Sequence, residues 1–191
     1  YSANHGGLFP TSMESDLMLA EAHRALADLL GVEDSAEIAF GANMTSLTFS
    51  LSRALARTWS AGDEIIVTRL DHDANVRPWV LAAEDAGATV RFVNLRPDDC
   101  TLDLSELRDM LSDKTRLVAV GCASNASGGI NPVQDICRWS HEVGALVFLD
   151  AVHYAPHRLI DVPAWDCDFL ACSTYKFFGP HLGVIWGRRA L

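Results

Sequence analysis

The chain has 191 residues, 49% apolar and 21% charged, which is enough for one substantial buried core and argues against a disordered chain. Its net charge is −10 and its lysines and arginines are scattered, which argues against nucleic-acid binding. No apolar run reaches the roughly 18 residues of a membrane span, no basic-then-apolar leader opens the chain, and the odd set of five cysteines without a CxxC pair reads as reduced, mostly core thiols of a cytoplasmic protein.

Helical and extended patterns alternate along the chain. Leu17, Ala20, Leu26 and Leu29 recur near the helical period and predict a helix over 13–30, stopped at Gly31. A short strand over 37–40 is followed by Gly41-Ala42-Asn43 and a helix over 44–59. Strands are expected over 64–68 and 89–95, with a helix over 76–86 between them. Asp103 is placed to cap a helix over 104–111. Two strongly apolar strands, 115–121 and 145–149, enclose a Ser/Asn/Gly-rich loop over 123–132 and a helix over 133–143. Short strands over 169–172 and 183–186 complete the pattern. Continuous apolar runs separated by helices indicate strands buried on both faces. The expected fold is therefore α/β: three layers, α/β/α, around a mainly parallel sheet, with 1–191 as one domain.

In such sheets ligands gather outside the carboxyl ends of the strands. The residues there are Gly41 to Thr45, Asp71 to Asn75, Ser124-Asn125, Asp150 to His153, and Ser173 to Lys176. They bring a lysine, carboxylates, two histidines and an asparagine to one edge. No GxGxxG or GxxxxGK[ST] follows any strand, which counts against a nucleotide-binding domain. No metal is expected.

Taken together, these segments resemble the class V aminotransferases, a family of fold-type I pyridoxal-phosphate (PLP) enzymes. The nearest branch is that of the cysteine desulfurases and selenocysteine lyases. Ser173-Thr174-Tyr175-Lys176-Phe177-Phe178-Gly179-Pro180 is similar to the family's Schiff-base segment. Asp150-Ala151-Val152-His153 resembles its Asp-x-x-Gln or Asp-x-x-His segment, Asp71-His72-Asp73-Ala74-Asn75 its acidic-His-x-Ala-Asn segment, and Gly41 to Thr45 stands where the phosphate loop is placed. The resemblance implies the PLP-transferase large domain, its smaller C-terminal domain lying outside this chain.

It also implies roles. Lys176 carries the cofactor, its amine kept partly neutral by a desolvated setting between apolar residues. Asp150 keeps the pyridine nitrogen protonated. His72 stacks on the ring and is the second catalytic residue. His153, where desulfurases commonly have Gln, and Asn125 lie near the ring hydroxyl. Ala42, Asn43 and Met44 at the start of a helix, with Ser173 and Tyr175, hold the phosphate. Asn4-His5-Gly6-Gly7 is reminiscent of the family's entry loop, and reads equally as a Gly-rich terminus.

The implied activity acts on an amino acid, best read as L-cysteine to L-alanine with sulfur transfer. Other class V aminotransferases, lyases and epimerases share these residues, and a fragment without catalysis is a further reading. A homodimer and a sulfur-acceptor protein are the implied partners, with no nucleic acid and no membrane. In the family the nucleophilic cysteine and the substrate-carboxylate arginine lie in the later part of the chain.

Overall fold

The computed structural model describes residues 4–191, and its architecture follows from where apolar residues can be buried. Helix α1 (Pro10–Leu30) leads to strand β1 (Ile38–Gly41) and helix α2 (Met44–Leu55). Strand β2 (Glu64–Thr68), helix α3 (Arg77–Ala86) and strand β3 (Thr89–Val93) follow. Helix α4 (Leu104–Met110), strand β4 (Thr115–Gly121), helix α5 (Val133–Glu142) and strand β5 (Leu146–Asp150) come next. A four-residue helix α6 (Val162–Trp165), strand β6 (Phe169–Ser173) and strand β7 (Gly183–Gly187) close the chain.

The seven strands form one sheet in the order β1-β7-β6-β5-β4-β2-β3. Strands β3, β2, β4, β5 and β6 run parallel, and β7 is antiparallel to both β6 and β1. The mixed sheet matches the expected mainly parallel one. Alternate residues of each central strand face opposite layers. Val118, Val120, Val147 and Leu149 pack with Leu30, Leu107, Ile136 and Val162 of α1, α4, α5 and α6. Leu117, Ala119 and Phe148 pack with Met44, Trp79 and Ala83 of α2 and α3. These strands are buried on both faces, which is why they read as unbroken apolar runs.

Leaving β2, the chain adds β3 on one side and then returns past β2 to place β4 on the other. Such a reversal opens a crevice at the carboxyl ends of the two strands. Among the described residues no helix is long and apolar enough to cross a membrane.

Candidate active site

The carboxyl edge of the sheet is built by close packing at two places. At the first, Gly183 of β7 lies against the turn before α2. A Cβ on Gly183 would come within 2.2 Å of the Asn43 carbonyl carbon, so only glycine lets the turn approach. Asn43 then caps α2, its Oδ1 accepting from Ser46 N at 2.9 Å. Ser173, buried at the end of β6, accepts from Met44 N at 3.1 Å. These contacts fix the N-terminus of α2, with its partial positive charge, beside the end of β6.

At the second place, Asp71 bridges β2 and β4. It accepts from Thr68 Oγ1 at 2.8 Å and from Gly121 N at 2.7 Å. Gly121 faces Asp150 in register on the neighbouring strand. Burial pushes the Asp71 carboxyl up to about 7, the Thr68 and Gly121 bonds oppose this, and the charge of Asp150 adds to it. Asp150, 7% exposed, is pushed up to about 6 by burial, against the pull of the Val152 N–H and of His72. Its Oδ1 accepts from Val152 N at 2.9 Å.

Between these two places lies a cavity of about 150 Å³. Of the sequence-derived candidates, Met44, His72, Asp150, His153, Ser173, Tyr175 and Lys176 line it. Thr45, Ala74 and Val152 line it as well. Thr45 carries a hydroxyl in the first turn of α2, and its place one residue beyond Met44 was the signal available in the sequence. His72 is held from behind: its Nδ1 accepts from Ala74 N at 3.0 Å, which leaves Nε2 to carry the proton of the neutral ring. His153 is half-buried, and its proton affinity is lowered by burial, then by Lys176, His72 and His157.

Three candidates stand elsewhere. Ala42 is exposed and does not line the cavity. The Asn43 side-chain oxygen is engaged in capping, and its position is behind the lining residues. Asn125 is exposed and lines an adjoining cavity of about 450 Å³, which shares His153 with the first. Lys176 also departs from the expected setting. It is exposed on a short 3-10 turn (Thr174–Phe177), its Nζ 5.8 Å from the Tyr175 ring centroid. Phe178 is 104% exposed and so does not shield it. The turn reverses direction through Phe178, at φ 66°, which aims that ring outward. Tyr175 stacks on His181 with centroids 4.3 Å apart. The Asn4 to Gly7 segment folds onto α1 through Gly7 N to Ser12 Oγ and Ser12 Oγ to Asn4 O, and does not line either cavity.

The sequence matches the family model described as Aminotransferase class-V over residues 1–191. It is 33% identical over 193 residues to the cysteine desulfurase of Dickeya dadantii, covering 100% of this chain and 47% of that protein. It is 39% identical over 191 residues to the aminotransferase-like protein FGM3 of Gibberella zeae, covering 97% of this chain and 46% of that protein. The solved apo structure of a cysteine desulfurase from Thermococcus onnurineus NA1 matches with a TM-score of 0.93 at 30% identity, covering 100% of this chain and 48% of that one. The chain thus spans about half the length of the curated relatives it matches.

Proposed function

The chain belongs to the class V aminotransferases, and from that premise we propose that it is the cofactor-binding large domain of a PLP enzyme that converts L-cysteine to L-alanine with transfer of sulfur. One observation carries the reading. A buried carboxylate, Asp150, lines the same cavity as an exposed lysine, Lys176, and the N-terminal turn of a twelve-residue helix. A buried carboxylate calls for a cationic partner, and a helix N-terminus for an anionic one. A molecule with a protonated ring nitrogen and a phosphate satisfies both, so the donor set fits PLP.

When bound, PLP supplies an aldehyde for an amine and a cationic ring that draws electrons from the substrate α-carbon. The residues do the rest. Lys176 would offer the amine that anchors the cofactor and would be placed to move a proton at the substrate α-carbon. Asp150 holds the proton on the ring nitrogen. His72 would face the ring, and His153 and Asn125 would serve the ring hydroxyl. The backbone of Thr45, the Ser173 and Thr45 hydroxyls and the Tyr175 phenol would receive the phosphate, with Met44 N held by Ser173 and with Asn43 and Ala42 shaping the turn behind them. A homodimer, a sulfur-accepting protein and a reducing cytoplasmic setting belong to the same reading, the last supported by five free thiols.

Borohydride reduction of the full-length protein followed by peptide mass spectrometry should place a cofactor adduct on Lys176. Lys176→Ala should carry none, and a persistent adduct in that variant would remove Lys176 from the role. Incubation with L-cysteine should yield alanine and sulfide.

The 39% identity to the aminotransferase-like protein FGM3 favours a second reading, a related aminotransferase or lyase, since the cysteine that desulfurases use lies in the later part of the family's chain. None of the five cysteines lines the cavity. Cys100 is exposed in the loop between β3 and α4, whereas Cys122, Cys137, Cys167 and Cys172 are buried with their thiols pushed up. Consumption of another amino acid without release of sulfide from cysteine would decide for that reading.

A further inference from the structure

The cavity that adjoins the Lys176 site has no part in the roles above except through Asn125 and His153. At about 450 Å³ it is three times the volume of its neighbour. One wall is the loop after β4, the other the turns after β5. Both walls are internally braced. Ser124 Oγ accepts from Ala126 N and Ser127 N at 3.2 Å each, and Ser124 N donates to Gly129 O at 2.9 Å. Across the cavity, Tyr154 O accepts from His157 N and Arg158 N at 3.0 and 3.1 Å, and the Tyr154 ring packs edge-on against Trp165. The space is therefore shaped before any ligand enters it, which lowers the ordering cost of binding.

Its charge is unusual for this chain. The protein carries a net charge of −10, yet no Asp or Glu lines this cavity. Three basic residues do: His153, His157 and Arg158. Surface arginines in α5 and just after β7 are paired, Arg138 with Asp135 and Arg188 with Asp166. The Arg158 guanidinium has no ion-pair or hydrogen-bond partner among the described residues. Burial lowers the proton affinity of His153, and the neighbouring Lys176, His72 and His157 lower it further. Donors fill out the lining, from the Asn125 amide and the Ser127 hydroxyl, and the Tyr154 ring supplies a low-dielectric wall against which a charge contact strengthens.

We propose that this cavity is a subsite for an acidic group on the side chain of the amino-acid substrate, a carboxylate or its sulfur counterpart, recognised by Arg158 and His157. The inference rests on the PLP-enzyme reading in its aminotransferase-or-lyase form, since L-cysteine carries no acidic side-chain group, and on the cavity alone for the chemistry of the subsite. An arginine and a carboxylate joined by charge-assisted hydrogen bonds contribute about 1.5–3 kcal/mol, or roughly ten- to a hundredfold in affinity. Arg158 is exposed, so its replacement leaves the core untouched.

The test uses the full-length protein in two arms. In the first, succinate is titrated calorimetrically into the wild type and into Arg158→Gln. Saturable binding weakened at least tenfold by the substitution is the expected result. No saturable binding, or equal binding to both proteins, would overturn the subsite. In the second arm the cofactor-loaded protein is titrated with L-aspartate and with L-alanine, and half-saturation is read from the cofactor absorbance. Arg158→Gln should raise the half-saturating concentration of L-aspartate at least tenfold and leave that of L-alanine within twofold. Equal losses for both would make Arg158 a holder of the α-carboxylate and overturn the side-chain assignment. Succinate binding without any absorbance response to amino acids would overturn the enzyme reading and leave the anion site standing.

Discussion

Asp150 and Asp71 lie on either side of Gly121, one facing it in register and the other accepting its N–H at 2.7 Å. They differ in what relieves their burial. Asp71 has two hydrogen bonds from its own surroundings, whereas Asp150 has one, from Val152 N, and turns toward the cavity. The less satisfied carboxylate is the one placed to receive a cation from outside. On this argument Asp150→Asn, which keeps the shape and removes the charge, should weaken PLP binding by about ten- to a hundredfold, the range for one charge-assisted bond. Titration of the cofactor-free full-length protein, followed by tryptophan fluorescence, measures it. An affinity within twofold of the wild type would take Asp150 off the ring nitrogen. Asp150 was legible in the sequence because a carboxylate directly after an apolar strand has few reasons to be there. Asp71 was not, since nothing local marks which of the acidic residues at 71 and 73 turns inward. That choice is made by Gly121, fifty positions away, whose missing side chain leaves room for the Asp71 oxygen.

At the scale of elements, the start of α2 is held in three ways: by the Asn43 cap, by Ser173 accepting from Met44 N, and by the absence of a side chain at Gly183. Asn43→Ala removes only the cap and should cost about 1 kcal/mol. Gly183→Ala forces a methyl into the backbone of Asn43 and should cost about 1–3 kcal/mol. Denaturant unfolding at fixed ionic strength separates the two. Gly183→Ala should also weaken inorganic phosphate or PLP binding more than Asn43→Ala does, because it displaces the donors themselves. Similar binding in both variants would mean that the phosphate is held elsewhere. Most elements could be read from sequence for a physical reason: β2, β4 and α3 carry strong apolar patterns with turn residues at their ends. Element ends moved by one to four residues, the most at α2, where a 3-10 turn over Ala56–Thr58 follows the helix. Helix α6 escaped because four residues are too few to show a period; it exists because Asp161 caps it through Ala164 N and Val162 enters the core.

For the whole molecule, the strand order and the antiparallel direction of β7 had no local signature. They follow from which faces can be covered together, and they decide that five loops meet at one edge. Lys176 shows the limit of local reading: its apolar neighbours in sequence suggested shelter, but Phe178 turns outward and the lysine is left exposed. The same assembly has a consequence for pH. Asp71 and Asp150 are held above the ordinary carboxylate value of 3.8, at about 7 and about 6. A raised carboxyl binds its proton more tightly in the folded than in the unfolded chain. Its stabilising contribution is complete below pH 3.8 and is lost as the pH rises through the folded value. His153, lowered by burial, acts in the opposite direction near its ordinary value, where stability falls as the pH drops. Asp63, held low against its burial by the Ser60 N–H and then by Arg116, and Asp166, held low by Arg188, act only below the ordinary carboxylate range. A substitution isolates one group from this mixture. Asp71→Asn can still accept from Gly121 N, and the Thr68 hydroxyl can rotate to meet the new amide. The stability of the variant relative to wild type, in the cofactor-free full-length protein, should therefore rise between about pH 4 and pH 8 by about 1–3 kcal/mol, the cost of a buried group left charged. Denaturant unfolding across that range of pH resolves it. A difference that stays flat across the range would mean that Asp71 ionises as an ordinary carboxylate and that the bridge between β2 and β4 carries no proton.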